Sequence, residues 1–172
     1  MRILVVVPLM LALPAAAGEA FVGIAKHGVD LGLVSGRFEG GTDLVAGART
    51  APLARVGKAE VRGHAFASVN LNGGTDFVAA GVSLRGALGP NFYIAPGLGV
   101  AIHDGAGDKV QQTPDRLYLG SRVLFEPELT LGARLSDRWA AELAYVHLSH
   151  GQLAGGQNPG LDTIGVRLVR RF

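Results

Sequence analysis

Two short stretches near the end of the chain hold residue types able to cleave an ester. His147-Leu148-Ser149-His150-Gly151 is followed by Asn158-Pro159-Gly160-Leu161-Asp162. A serine hydroxyl becomes a nucleophile at neutral pH when an imidazole takes its proton, and the imidazole needs a carboxylate to fix its tautomer. His-x-Ser puts the first two groups on one face of a strand, and a carboxylate on the paired strand supplies the third. The same spacing also fits a simpler reading, a pair of interfacial polar residues. His147 and His150, three apart on a strand, point to opposite faces and make no metal site.

The elements carrying these residues must be strands, because side-chain character alternates along most of the chain. From Phe92 to Ile102 the even positions are Phe, Ile, Pro, Leu, Val and Ile, and the odd ones are Tyr, Ala, Gly, Gly and Ala. From Arg122 to Arg134, Val123, Phe125, Pro127, Leu129, Leu131 and Ala133 oppose Arg122, Glu126, Glu128, Thr130 and Arg134. From Ala59 to Leu71, Val61, Ala65, Val69 and Leu71 oppose Glu60, Arg62, His64, Ser68 and Asn70. Leu143, Tyr145, His147 and Ser149 share one parity, and Asp162 shares that of Ile164, Val166, Leu168 and Phe172.

Composition then separates a membrane barrel from a soluble sandwich. The 172 residues allow one domain, are 48% hydrophobic, include 26 glycines and contain no cysteine, which excludes disulfide frameworks and thiolate metal sites. A net charge of +2 gives no footprint for nucleic acid. Residues 1–17 read as a secretory signal, with Arg2, an apolar stretch from Ile3 to Leu13 and the small residues Ala15-Ala16-Ala17, placing the mature start at Gly18. After it, no run of about 18 apolar residues offers a spanning helix. Export, apolar bias, charges confined to one face and a terminal Phe172 together predict an all-β fold for residues 18–172. That fold is an antiparallel transmembrane β-barrel of about eight strands with a filled interior.

Turn signals at Gly40-Gly41, Asn72-Gly73-Gly74, Gly89-Pro90-Asn91, Asp104 to Asp108 and Ser136-Asp137 divide the strands. The segment from Phe21 to Glu39 reads either as one irregular strand or as a short strand and turn. Arg122, Glu126, Glu128, Glu142 and Arg167 are expected to pair with one another inside the barrel. An aromatic content of 6% is low for interfacial girdles. Gly97-Leu98-Gly99 lacks the third glycine and the helix of a dinucleotide fingerprint, and Asn158-Pro159-Gly160 is first of all a turn.

Parity places His147, Ser149 and Asp162 on the lipid-facing side. With the C-terminus in the periplasm the penultimate strand runs outward, so these residues lie at the outer leaflet, where a lipid ester is within reach. Polar groups facing hydrocarbon are expensive, and a site acting on lipid explains their position.

The segment from Phe125 to Phe172 resembles the outer-membrane lipid A 3-O-deacylases, the PagL family. Their C-terminal pattern is His-x-Ser-Asn, then Asn-x-Gly, then an acidic residue and a last strand. Here it reads His147-Leu148-Ser149-His150, Asn158-Pro159-Gly160 and Leu161-Asp162, with a weaker likeness from Tyr93 to His103. The resemblance implies an eight-stranded, multi-pass barrel of the bacterial outer membrane. Its substrate would be the lipid A of lipopolysaccharide, cleaved at the ester-linked 3-hydroxyacyl chain of position 3 without a cofactor, and its other partners the outer-membrane lipids. Ser149 would be the nucleophile, His147 the general base and Asp162 the orienting acid. The chain departs from the pattern in three ways: Asp162 replaces a glutamate, it arrives one residue later, and His150 stands where an asparagine helps hold the oxyanion. His150 and the N–H of Gly151 are the oxyanion candidates here. The reading is compatible with a homodimer. Its rival is a small non-enzymatic outer-membrane barrel with a structural or binding role.

Overall fold

The computed structural model describes residues 17–30, 39–106, 117–153, 156 and 158–172. The expected signal segment, apart from Ala17, and Asp108 of the glycine-rich loop lie outside the described residues. The strands are β1 (Ala17–His27), β2 (Gly41–Thr50), β3 (Ala54–Val56), β4 (Ala59–Asn70), β5 (Phe77–Ala87), β6 (Phe92–His103), β7 (Val123–Arg134), β8 (Trp139–Leu148) and β9 (Leu161–Arg171). Phe21 therefore falls within one continuous strand, β1.

Each strand pairs antiparallel with its neighbours in the order β2-β1-β9-β8-β7-β6-β5-β4, and a β2–β4 ladder joins the two ends. The result is a closed eight-stranded barrel with no helix among the described residues. The short β3 pairs with β4 along the edge that β2 occupies, continuing the line of β2 beyond Thr50. Closure removes the sheet edges, so every strand in hydrocarbon has partners for its backbone groups.

The two-residue period sorts the side chains. Val22, Ile24, Leu98, Val100, Ile102, Val166 and Leu168 are exposed on the outer wall, and the alternate positions are buried inside. Few as the aromatics are, Phe92, Trp139 and Phe172 stand exposed at the end with the short turns 88–91 and 135–138. There Arg170 lies 5.8 Å from the Trp139 ring centroid and 5.5 Å from that of Phe172.

The interior is filled by paired charges over an aromatic floor. Arg49 makes two bonds to Glu142, at 2.9 and 3.0 Å, and Arg85 makes two to Glu19, at 2.5 and 2.7 Å. Tyr93 donates to Glu142 at 2.7 Å, and its ring passes over Gly132 on the next strand, where a Cβ would collide with it. Arg167 bonds Glu128 at 3.1 Å and lies over the rings of Phe21 and Phe66. His64 and Glu126 pair at 3.1 Å.

Glu126, Glu128, Glu142 and Arg167 thus lie inside as their parity predicts, but Arg167–Glu128 is the pair they form with one another. Glu142 and Glu126 find Arg49 and His64 on distant strands. Arg122 is not part of the row: it is exposed, precedes β7 and donates to the Gly105 carbonyl at 2.6 Å. Arg134, at the other end of the strand, is likewise exposed and donates to the Pro90 carbonyl. Alternation fixes a face only where both neighbouring strands continue: Arg122 precedes β7, and Arg134, still opposite Ala140 of β8, is past the end of the β6 ladder.

Buried charge of this kind costs most when half of it is removed. Arg49→Met is expected to destabilise the barrel by about 3 kcal/mol in urea unfolding, because Glu142 stays buried with both bonds to Arg49 lost and only Tyr93 and the more distant Arg85 left to it. Arg49→Met/Glu142→Leu should be more stable than Arg49→Met alone.

Candidate functional site

The β8–β9 ladder sets His147 directly opposite Asp162 and Tyr145 opposite Ile164. Ser149 follows β8 by one residue and keeps its register. Its N–H and C=O exchange hydrogen bonds with Phe125 of β7, at 3.2 and 2.7 Å. Tyr145, His147 and Ser149 therefore stand in a row on the outer face, beside the outward parity of β9. Their row begins where the exposed side chains of Leu143 and Val166 end.

His147 Nδ1 lies 2.6 Å from Asp162 Oδ1. A carboxylate acceptor makes Nδ1 the protonated nitrogen, which leaves Nε2 free to accept a proton. Asp162 is 1% exposed despite its outward parity, because His147 and Tyr145 cover it. The imidazole itself is 20% exposed. No hydrogen bond joins Ser149 to His147 among the described residues.

The segment after Ser149 turns sharply. Gly151 and Gln152 both have positive φ, +58° and +65°, and Leu153 N–H donates to the His150 carbonyl at 3.0 Å. A left-handed non-glycine residue such as Gln152 is uncommon and marks a turn held by its surroundings. Asn158 supplies one hold, its Oδ1 accepting the His150 N–H at 3.1 Å. Asn158 thus acts on the shape of the loop. His150 is buried, on the parity opposite to Ser149, and lines an open groove of about 260 Å³ with Val100, Val123, Phe125 and Leu153. Gly151 is exposed at the turn. No cluster able to hold a metal ion occurs among the described residues.

These observations meet a match in sequence. Residues 53–171 fit the profile of the lipid A 3-O-deacylase (PagL) family. The chain belongs to the PagL family of lipid A 3-O-deacylases. No curated protein matches it significantly in sequence. In fold it is similar to a crystal structure of the outer membrane enzyme PagL, with a TM-score of 0.65 and 16% identity over 90% of this chain and 99% of that one. Neisserial surface protein A gives 0.55 and 11% identity over 90% and 95%. A de novo designed transmembrane β-barrel gives 0.53 and 12% over 91% and 97%. At such identities the structural likeness concerns the barrel, and the PagL assignment rests on the profile.

Tyr145, which the sequence reading left as one more outer-wall side chain, donates to Asp162 Oδ1 at 2.7 Å. The signal that could have found it is its parity with His147, two residues on.

The loops at this end of the barrel are tied together by Glu39. Its Oε2 accepts the Thr75 N–H at 2.6 Å, its Oε1 accepts the Leu117 N–H at 2.9 Å, and His27 Nε2 is 3.6 Å away. Burial alone would raise the Glu39 carboxyl, but His27 and the Leu117 and Thr75 donors outweigh it and hold the pKa down at about 2. A carboxyl depressed from 4.5 to about 2 contributes stability that is complete above pH 4.5 and is lost as pH falls towards 2. Amide exchange protection at Thr75 and Leu117 should therefore fall over that interval, and Glu39→Gln should remove most of this dependence.

Proposed function

We propose that the protein is an outer-membrane esterase that removes the ester-linked 3-hydroxyacyl chain from position 3 of lipid A, with Ser149, His147 and Asp162 as its catalytic residues. The observation that carries the reading is the His147–Asp162 bond of 2.6 Å on the lipid-facing wall, with Ser149 next on the same face.

Location follows from the connections. The turns 88–91 and 135–138 are short, whereas residues 104–122 and 149–160 connect strands at the opposite end, and outer-membrane barrels keep short turns in the periplasm and long loops outside. Both termini share the short-turn end, where the Phe172 N–H bonds the Gly18 carbonyl. On this reading Ser149 lies in the outer leaflet, where lipid A resides, and residues 1–17 are the proposed export signal.

The chemistry is acyl transfer in two steps. Ser149 Oγ attacks the ester carbonyl carbon while His147 Nε2 takes its proton. Asp162 stabilises the imidazolium through Nδ1. Collapse of the tetrahedral intermediate breaks the bond to the sugar oxygen, which leaves with the proton from His147. Water, deprotonated by the same imidazole, then releases the fatty acid and restores Ser149. The Gly151 N–H and, once turned from the face opposite to Ser149, the His150 side chain are the donors assigned to the oxyanion, and the groove between Val100, Val123, Phe125 and Leu153 suits the acyl chain. A barrel with a purely structural role gains nothing from an imidazole and a carboxylate on its lipid face, where such groups are costly.

Protein reconstituted in lipid with lipopolysaccharide should release one 3-hydroxy fatty acid per lipid A, seen by mass spectrometry. Ser149→Ala should lower the rate at least about 1,000-fold, and an unaltered rate would remove Ser149 as nucleophile. His150→Asn is expected to raise the rate, since an amide places a donor without depending on an imidazole tautomer. An unchanged or lower rate would show that His150 is no handicap.

A further inference from the structure

We infer that Tyr145 is a positioning residue of this site, holding the Asp162 carboxylate in the one orientation that serves His147. The inference rests on the assignment of Ser149, His147 and Asp162 as nucleophile, base and acid. It adds a fourth residue, acting through the third.

Asp162 receives both of its side-chain bonds on one oxygen. Oδ1 accepts the Tyr145 hydroxyl at 2.7 Å and lies 2.6 Å from His147 Nδ1, while Oδ2 is buried with no partner among the described residues. A buried carboxylate oxygen without a donor favours any rotation that would find it one. Nothing in the His147 bond alone opposes that rotation, because the imidazole could follow either oxygen. The phenol supplies a second direction. Tyr145 lies two residues before His147 on the same face and pairs with Ile164, so its hydroxyl reaches Asp162 diagonally across the two strands. With donors arriving from two strand positions, the carboxylate plane is fixed with Oδ1 towards the imidazole. The ring also covers a charge on the lipid-facing wall, and the hydroxyl obtains the partner that a phenol needs in that setting.

The test measures the serine without requiring the natural lipid. In detergent, a fluorophosphonate reports the nucleophile directly: the Ser149 oxygen–phosphorus bond forms, the phosphorus–fluorine bond breaks, fluoride leaves and His147 takes the hydroxyl proton. Labelling rates are read by intact mass for the natural protein and for Ser149→Ala, Tyr145→Phe, Asp162→Asn and Tyr145→Phe/Asp162→Asn. Mobility of unheated samples in gels confirms that each variant is a folded barrel. Tyr145→Phe should label about tenfold more slowly. In the Asp162→Asn background the same change should cost less than twofold, because the residue through which the phenol acts is already altered. On lipid A, Tyr145→Phe should lower kcat with KM unchanged, a split that lost packing would not produce. A natural rate for Tyr145→Phe, or two losses that simply multiply, overturns the role of Tyr145 and leaves the Ser149 assignment standing. Failure of the natural protein to label at Ser149 overturns that assignment, and this inference with it.

Discussion

A strand in hydrocarbon cannot leave its N–H and C=O groups without partners, and the remaining features of this molecule follow from how that requirement is met. The β2–β4 ladder closes the wall, and closure sets the register of every other pair. Because side chains alternate with period two, a slip of one residue would send each outward residue inside. Register is therefore what sets His147 opposite Asp162 and keeps Ser149 on the same face. Backbone pairing alone thus brings the His147 imidazole to the Asp162 carboxylate.

Inside, the same closure creates a narrow space that the chain fills with charge. Arg49, Arg85 and Arg167 each meet a carboxylate and lie over an aromatic ring. Such pairs are poor sources of stability compared with hydrocarbon of equal volume, but severe to break. They oppose register shifts, since a shift would carry charges into lipid. At the outer end the network becomes hydrogen-bonded and local: Asp43 accepts from Ser68 and Asn70 and pairs with His27. Glu39 carries this order into the loops. The outer-wall residues are thus mounted on a rigid support.

Much of the barrel can be read from the alternation itself, because in a wall with lipid on one side and packed charge on the other the contrast between faces is large. Val123 to Leu131 shows it plainly. Reading failed where that contrast ends, at Arg122, which precedes β7, and at Arg134, its last residue, both bonded to nearby carbonyls. Partners across the barrel were also hidden: nothing in Glu142 points to Arg49, because the pairing depends on curvature around the wall. Spacing and family likeness single out Ser149, His147 and Asp162 as candidates, and their parity puts them on one side. Tyr145 escaped because a tyrosine on a lipid-facing strand is ordinary, and only the diagonal reach to Asp162 gives it meaning. The family profile begins at residue 53, so the reading of β1 and β2 depends on the fold alone.

If Ser149 is the nucleophile, its hydroxyl becomes covalently acylated by lipid A, and trapping that intermediate is the most direct test. Protein mixed with excess lipopolysaccharide and quenched in acid within the first turnovers would be digested and its peptides weighed. A 3-hydroxyacyl ester is expected on Ser149, absent after longer incubation once substrate is exhausted. Release of the fatty acid with Ser149 unmodified throughout, or an acyl group found on another residue, would contradict it.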